Sequence, residues 1–148
     1  MHPASILMID NEPIIYTSFA KWVTLQAIPW SVETASSGKE GLTRLREKHF
    51  DVTILDYQMP QMNGLEVLEQ IAQAGFETNV IMLTGFATQR IASQAAQLGA
   101  IALLSKPILN SELVEKIQEV LKNQGSDRVC DRLKLFSAKR QKIQTYTG

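Results

Sequence analysis

Five polar residues lie at the ends of short apolar segments, and together they could carry out phosphoryl transfer. They are two acids, an amide, a hydroxyl and an amine: Asp10, Asp56, Asn11, Thr84 and Lys106. Carboxylate oxygens are the ligands that a hard cation such as Mg²⁺ prefers. Lysine and threonine can bind the oxygens of a phosphoryl group that the cation also contacts, and a carboxylate can form an aspartyl phosphate. Considered alone, Asp56 has three possible roles: nucleophile, metal ligand or polar strand end.

These residues come together only if the apolar segments are parallel strands of one sheet. Strands are predicted at residues 5–9, 31–35, 52–55, 79–83 and 100–104, all of them continuously apolar except the second, which alternates. Helical patterns follow, beginning near Pro13, Gly38, Gly64, Thr88 and Ser111, and we expect the first to end at Pro29. This alternation predicts a parallel sheet covered on both faces, with all carboxyl ends at one edge.

The composition is that of a soluble globular protein, with 45% hydrophobic and 20% charged residues among 148. We expect one domain over residues 1–124 and a basic tail, linker or signalling helix over residues 125–148. The formal net charge is zero, but the tail has six basic and two acidic residues. No DNA-binding motif accompanies them, so direct nucleic-acid binding is not predicted.

Several features favour a cytoplasmic location. Cys130 is the single cysteine, so no intramolecular disulfide can form. No apolar run approaches the ~20 residues of a membrane span. The N-terminus has no basic leader and reaches Asp10 too early for a signal peptide.

Four segments at predicted strand ends resemble, in this order, the receiver domain of two-component response regulators. They are ILMIDNEP, DYQMPQMNG, LTG and SKP, and the similarity extends over about residues 5–122. The resemblance implies a flavodoxin-like (βα)5 three-layer sandwich, whose five-stranded parallel sheet has the strand order 2-1-3-4-5.

The resemblance also implies residue roles. Asp56 matches the phosphoacceptor, which takes its phosphoryl group from a histidine kinase or a histidine phosphotransfer protein. Asp10 matches the first acid of the pair that anchors Mg²⁺, and Gln58 matches the position whose backbone carbonyl binds the metal. Thr84 matches the hydroxyl that moves towards the phosphoryl group. Lys106 matches the lysine that pairs with it, before a cis bond to Pro107.

Two positions depart from the family pattern. Asn11 replaces the second acid, so an amide oxygen would meet the cation with one charge fewer. Leu103 stands where the family often has a tyrosine or phenylalanine that reorients on activation. The output surface is therefore expected to respond differently, even with phosphorylation intact.

Three functions follow. The first is a phosphorylation switch that changes the surface formed by the fourth helix, fifth strand and fifth helix. A homodimer could form through that same surface or through the tail. The second is a phosphatase or phosphotransferase, but Gln58 stands where such enzymes place a general acid, and no cap segment is present. The third is a degenerate receiver that binds a partner without phosphorylation. We favour the switch, and expect no substrate turnover.

Overall fold

A computed structural model describes residues 3–124 of the chain. In this region strands and helices alternate as predicted, five of each: β1 Ser5–Ile9, α1 Pro13–Leu25, β2 Ser31–Ala35, α2 Gly38–Glu47, β3 Val52–Asp56, α3 Gly64–Ala74, β4 Asn79–Thr84, α4 Gln89–Gln97, β5 Ala102–Ser105 and α5 Asn110–Lys122. None of the helices described is long and apolar enough to cross a membrane.

The strands form one parallel sheet in the order β2-β1-β3-β4-β5, which confirms the order implied by the resemblance. Asp56 at the end of β3 pairs with Leu83 of β4, and Thr84 pairs with Ser105 of β5. Because parallel strands all run in the same direction, their carboxyl ends meet at one edge of the sheet. The candidate residues are therefore delivered to a common edge.

Side chains on the two faces of the sheet form two hydrophobic cores. Leu7 and Ile9 of β1 face the layer of α2, α3 and α4, whereas Ile6 and Met8 face α1 and α5. This alternation follows from the two-residue period of a strand. It explains why strands buried on both faces read as continuous apolar runs.

Several element boundaries differ from the sequence prediction. Helix α1 ends at Leu25 rather than at Pro29, because Ala27 takes a left-handed conformation with φ 55, which a continuing α-helix does not allow. Strand β5 begins two residues late, at Ala102, since the Ala100 amide donates to Ala95 O and closes the end of α4. Strands β3 and β4 are one residue longer than predicted, so Asp56 and Thr84 belong to the sheet.

Candidate functional site

Two buried carboxylates share one lysine at the carboxyl edge of the sheet. Asp10 and Asp56 are only 1% and 2% exposed. The Lys106 ammonium lies 2.9 Å from Asp56 Oδ1 and 3.3 Å from Asp10 Oδ2. Asp10 and Asp56 are 46 positions apart in the sequence, and Lys106 lies 50 positions after Asp56, yet the lysine ammonium bonds both acids. The structure brings together three of the residues that the sequence singled out.

The backbone around Lys106 fixes where its side chain emerges. The Lys106 amide donates to Thr84 O at 2.7 Å, which continues the β4–β5 ladder for one more residue. The peptide bond from Lys106 to Pro107 is cis, which confirms the expectation. The bond to Thr84 O places the Lys106 backbone at the carboxyl edge of the sheet, where the two acids also lie.

The two oxygens of Asp56 differ in their surroundings. Oδ1 accepts from the Lys106 ammonium and, at 3.4 Å, from the Gln58 amide. Oδ2 has no hydrogen-bond partner within residues 3–124. By contrast, both oxygens of Asp10 are bonded, because Oδ1 accepts from the Glu12 amide at 2.9 Å. Asp56 thus keeps one oxygen available for a new bond.

Burial and charge shift the ionisation of this cluster. Burial raises the pKa of Asp56, and the negative charge of Asp10 acts in the same direction, while the hydrogen bond and charge of Lys106 partly oppose them. Burial alone would lower the pKa of Lys106. Its bonds to Asp56 and Asp10 and their charges outweigh that effect and raise it, so the ammonium stays protonated at neutral pH.

Thr84 lies at the same edge, fully buried. Its Oγ1 accepts a hydrogen bond from the Phe86 amide at 3.1 Å, which holds the hydroxyl towards the following loop. Phe86 itself is 68% exposed. The threonine hydroxyl is therefore engaged with its own loop rather than with the acids.

Asn11 and Gln58, the two remaining candidates, are exposed at the rim of the site. Asn11 follows the buried Asp10 directly. The Gln58 side chain reaches towards the β4–α4 loop, where its Oε1 lies 3.3 Å from the position that a Cβ on Gly85 would take. Neither side chain is buried with the carboxylates, as expected if Gln58 contributes through its backbone.

Leu103, the second departure from the family pattern, is fully buried within β5. It packs in the core beneath α2, α3 and α4. A leucine at this position fills the core and leaves no ring that could turn towards solvent.

Gly64 keeps the loop after Asp56 close to the strand end. A Cβ at this position would lie 2.7 Å from the Asp56 carbonyl oxygen and 2.8 Å from Tyr57 Cα. The Gly64 amide also donates to Tyr57 O at 2.8 Å, and the capping box of Asn63 and Glu66 fixes the start of α3. Glycine is needed here because both neighbours are backbone atoms that cannot move aside.

The available donors fit a magnesium ion better than a metal held by many side chains. Residues 3–124 contain no group of three or more His, Cys, Asp or Glu side chains that could hold a metal. Two carboxylates, Asp10 and Asp56, would leave the remaining positions to backbone or amide oxygens and to water. Mg²⁺ commonly binds in this way, through one or two carboxylates while keeping several waters.

Two contacts of the site were not predicted from the sequence. In the first, the Asp10 carboxylate accepts from the Glu12 amide two residues later and forms a local turn. An aspartate just before the start of a helix is a recognisable sequence signal for such a turn. The contact of Thr84 with Phe86 has the same spacing but only a weak sequence signal. Its existence depends on the loop conformation.

The fold and this cluster define a doubly wound α/β domain with an acidic, lysine-bridged cleft at the carboxyl edge of its sheet. The family model described as the response regulator receiver domain matches residues 6–118. The chain therefore belongs to the response regulator receiver family of two-component systems. Receiver domains of this family are in general signalling modules that bind Mg²⁺ and are not enzymes.

Curated relatives are considerably longer than this chain. The transcriptional regulatory protein GlrR of Escherichia coli is 31% identical over 119 residues, which are 80% of this chain and 26% of GlrR. The response regulator MprA of a Mycobacterium species is 29% identical over 131 residues, 87% of this chain and 55% of MprA. The chain thus spans between about a quarter and just over half of these proteins.

Solved structures of similar length have the same fold. A CheY-like receiver domain protein from Methanospirillum hungatei has a TM-score of 0.76 and 30% identity, covering 82% of this chain and 96% of its own. The chemotaxis protein CheY4 of Vibrio cholerae has a TM-score of 0.73 and 30% identity, covering 80% and 98%.

Proposed function

We propose that this protein is a phosphorylation-dependent switch in which Asp56 accepts a phosphoryl group from a histidine kinase or a histidine phosphotransfer protein. One observation carries the proposal: Oδ2 of the buried Asp56 is unpartnered within residues 3–124, while Oδ1 is held by Lys106. A carboxylate fixed by one oxygen presents the other as a nucleophile.

The transfer step exchanges one bond for another. Asp56 Oδ2 forms a bond to phosphorus as the nitrogen–phosphorus bond of a phosphohistidine breaks, and the imidazole nitrogen takes the electron pair of that bond. Lys106 stays protonated and balances charge on the phosphoryl oxygens. Positioning and charge neutralisation are the main contributions that a protein makes to this reaction.

Asp10, Asp56, the backbone carbonyl of Gln58 and Asn11 would hold Mg²⁺ in this proposal. When bound, the cation neutralises negative charge on the phosphoryl oxygens. The buried oxygens of Asp10 and Asp56 support this assignment, since both approach the same ammonium. Asn11 adds an oxygen without charge.

The switch would act through Thr84 and the surface of α4, β5 and α5. A phosphoryl group on Asp56 offers the Thr84 hydroxyl a charged acceptor to donate to, and rotation of the side chain towards it would draw Oγ1 away from the Phe86 amide. The loop between β4 and α4 would then change conformation and shift that surface. Leu103 is aliphatic and fully buried, so an aromatic side chain in β5 takes no part.

An exposed apolar surface beside the site supports docking of a phosphodonor protein. Ile14 and Leu109 are 75% and 65% exposed, and they line a cavity of about 580 Å³ together with Glu12 and Lys106. A donor histidine must come close to Asp56, so its protein must cover this rim. A homodimer through α4, β5 and α5 remains a further proposal, and a dimer through residues 125–148 concerns a segment outside the described residues.

We further propose that residues 1–124 form the receiver domain, that residues 125–148 are an appended basic segment, and that the protein acts in the cytoplasm. Gel filtration with light scattering on the full chain and on a variant lacking residues 125–148 tests the tail as a dimer contact. An unchanged oligomeric state would exclude that role.

Intact mass spectrometry after incubation with acetyl phosphate and Mg²⁺ tests the switch. We expect the mass of one phosphoryl group to be added to the wild type and lost in Asp56→Asn. Asp51→Asn is the matched control, because Asp51 lies at the other end of the same strand and should leave the adduct intact. No adduct in the wild type would overturn the proposal.

A degenerate receiver is the second candidate, favoured by Asn11 and Leu103. It predicts partner binding that is equal with and without acetyl phosphate. We propose no substrate turnover in either case: Gln58, the residue two positions after Asp56, has no acidic proton to give to a leaving group. Release of phosphate at multiple turnovers from small phosphate esters would contradict this.

A further inference from the structure

Residues 125–148, the basic segment, and the rest of the chain carry opposite charges. Residues 3–124 have thirteen acidic and nine basic side chains, a formal net charge of −4, whereas the basic segment has two acidic and six basic ones, a net charge of +4. Apolar residues stand among the basic ones of the segment, including Leu133, Phe136 and Ile143. A groove with acidic walls and apolar surface would be complementary to such a sequence.

A groove with these properties lies between α2 and α3. Its volume is about 550 Å³, which is within the usual range for binding pockets. The buried Leu42 and the half-buried Phe76 contribute apolar surface, and the exposed Glu66 and Glu69 contribute negative charge. Arg46 also lines the groove, but neither glutamate forms an ion pair within residues 3–124. The two carboxylates are therefore open to cations from outside the groove.

Two further cavities, both along α1, are less suited to a basic partner. One is lined by Lys21 and by no acidic residue. The other is lined by Glu12 and Lys106, whose charges cancel. Because like charges repel across an interface, the groove between α2 and α3 is the best match for the basic segment among these three.

The basic segment starts close enough to reach this groove. Gln124, the residue before it, donates through Nε2 to Asp51 O at 3.3 Å, and the Asn79 amide donates to the same carbonyl at 3.2 Å. Phe76 of the groove precedes Asn79 by three residues, so the Gln124 side chain lies within about 20 Å of Phe76. The groove extends about 12 Å along α3, and the segment can span up to about 80 Å when extended. Its length is thus sufficient to follow the whole groove.

We propose that the groove between α2 and α3 is a docking site for the basic segment of the same chain. Lysine and arginine side chains of the segment pair with Glu66 and Glu69, and its apolar side chains cover Phe76. The segment, whose own structure lies outside the described residues, is in this way an internal ligand of the receiver domain. The inference does not require phosphoryl transfer to Asp56, so it can fail or hold independently of the proposed function.

Paramagnetic broadening of NMR signals in the full chain tests the proposal. A nitroxide attached at Ser137→Cys, in a Cys130→Ser background, places a single spin label in the middle of the basic segment. Because the broadening falls steeply with distance, we expect the amide signals of Glu69 and Gln73 to lose most of their intensity while that of Thr17 in α1 is retained. Retained signals at Glu69 and Gln73, or a loss no greater than at Thr17, would overturn the proposal.

Charge variants that carry the same label test what holds the segment in place. Glu66→Gln with Glu69→Gln removes both acids of the groove, and glutamine at position 66 can still close the capping box of α3. We expect the Gln73 signal to recover in this variant. The matched control, Glu112→Gln with Glu115→Gln, removes two exposed acids of α5 and should leave the loss at Gln73 unchanged. Equal recovery in both variants, or recovery in neither, would refute the assigned pairing.

A mixed sample separates docking within one chain from docking between two chains. Isotope-labelled Cys130→Ser protein, which carries no spin label, is mixed with an equal amount of spin-labelled protein that carries no isotope. We expect the Glu69 and Gln73 signals to keep their intensity. A loss as large as in the singly labelled chain would mean that the segment docks on a second copy, and would overturn docking within the chain. Absence of an acetyl phosphate adduct, by contrast, would overturn only the proposed function.

Discussion

Thr84 Oγ1 accepts a hydrogen bond from the Phe86 amide at 3.1 Å, so the hydroxyl at the edge of the site is held by the loop that follows it. The loop continues into α4 through a second bond, from the Thr88 amide to Phe86 O at 3.0 Å, and Thr88 caps the helix. A change at Thr84 is thereby linked to the start of α4 by backbone contacts.

Phosphorylation is predicted to break the Thr84–Phe86 bond. Thr84 Oγ1 would turn towards the phosphoryl group, and the Phe86 amide would lose the protection of a hydrogen bond worth about 1 kcal/mol, which corresponds to roughly fivefold faster amide exchange. NMR hydrogen exchange with Mg²⁺ and acetyl phosphate measures it, with the Val67 amide in α3 as an internal reference. Unchanged exchange at Phe86 in a sample that carries the adduct by mass would contradict the prediction.

Asn11→Asp is predicted to tighten Mg²⁺ binding by about tenfold. A carboxylate adds one negative charge next to a divalent cation in place of a neutral amide, and the interaction is partly screened by water. Calorimetric titration measures the dissociation constant, and Gln97→Glu on the exposed face of α4 is the control for added charge alone. Equal constants for Asn11→Asp and the wild type would show that residue 11 is not at the metal.

Asp56→Asn is predicted to stabilise the protein without Mg²⁺ at neutral pH. Burial raises the folded-state pKa of Asp56 above its unfolded value near 3.8, so the folded protein binds the proton more tightly. Ionisation therefore costs stability: the cost is absent below the unfolded pKa and fully present above the folded pKa. Asparagine does not ionise, and it leaves Lys106 paired with Asp10 alone.

Urea unfolding across the acid range measures this effect. The stability difference between Asp56→Asn and the wild type should shrink as the pH falls through the folded pKa towards 3.8. Asp51→Asn, where the side chain accepts from the Ser5 amide at the opposite edge of the sheet, is not expected to stabilise. An Asp56→Asn protein less stable than the wild type at neutral pH would refute the charge argument.

Gly64→Ala is predicted to destabilise the fold by about 1–3 kcal/mol, the usual cost of forcing atoms into a packed site. The added Cβ would meet the backbone of Asp56 and Tyr57 and displace the strand end that carries the acceptor. We therefore expect slower adduct formation with acetyl phosphate as well as a lower midpoint in urea.

Gly85→Ala is the matched control for that substitution. Its Cβ would meet only Gln58 Oε1, the end of a flexible side chain, at 3.3 Å. The stability change should stay within about 0.5 kcal/mol. Equal stability changes in Gly64→Ala and Gly85→Ala would show that glycine at position 64 is not required by its close approach to the strand end.

Much of the fold could be predicted because the signals are local. Continuous apolar runs require strands buried on both faces, and their alternation with helical patterns requires a parallel sheet. Parallel strands bring their carboxyl ends to one edge, so the proximity of Asp10, Asp56 and Lys106 follows from topology. The predicted end of α1 and the predicted start of β5 are wrong. The first depends on the left-handed conformation of Ala27, and the second on the bond from the Ala100 amide to Ala95 O, and both are set by the folded chain.

The sequence by itself determined which residues stand at the strand ends, that Asn11 is neutral and that Leu103 is aliphatic. Only the tertiary structure decided that Lys106 bonds both acids, that Asp56 keeps Oδ2 unpartnered within residues 3–124, and that Thr84 is held by its own loop. The physical reason is range: apolar periodicity acts over a few neighbouring residues. Hydrogen bonds and pKa shifts in the site depend instead on distances of a few ångströms between groups that are far apart in the chain.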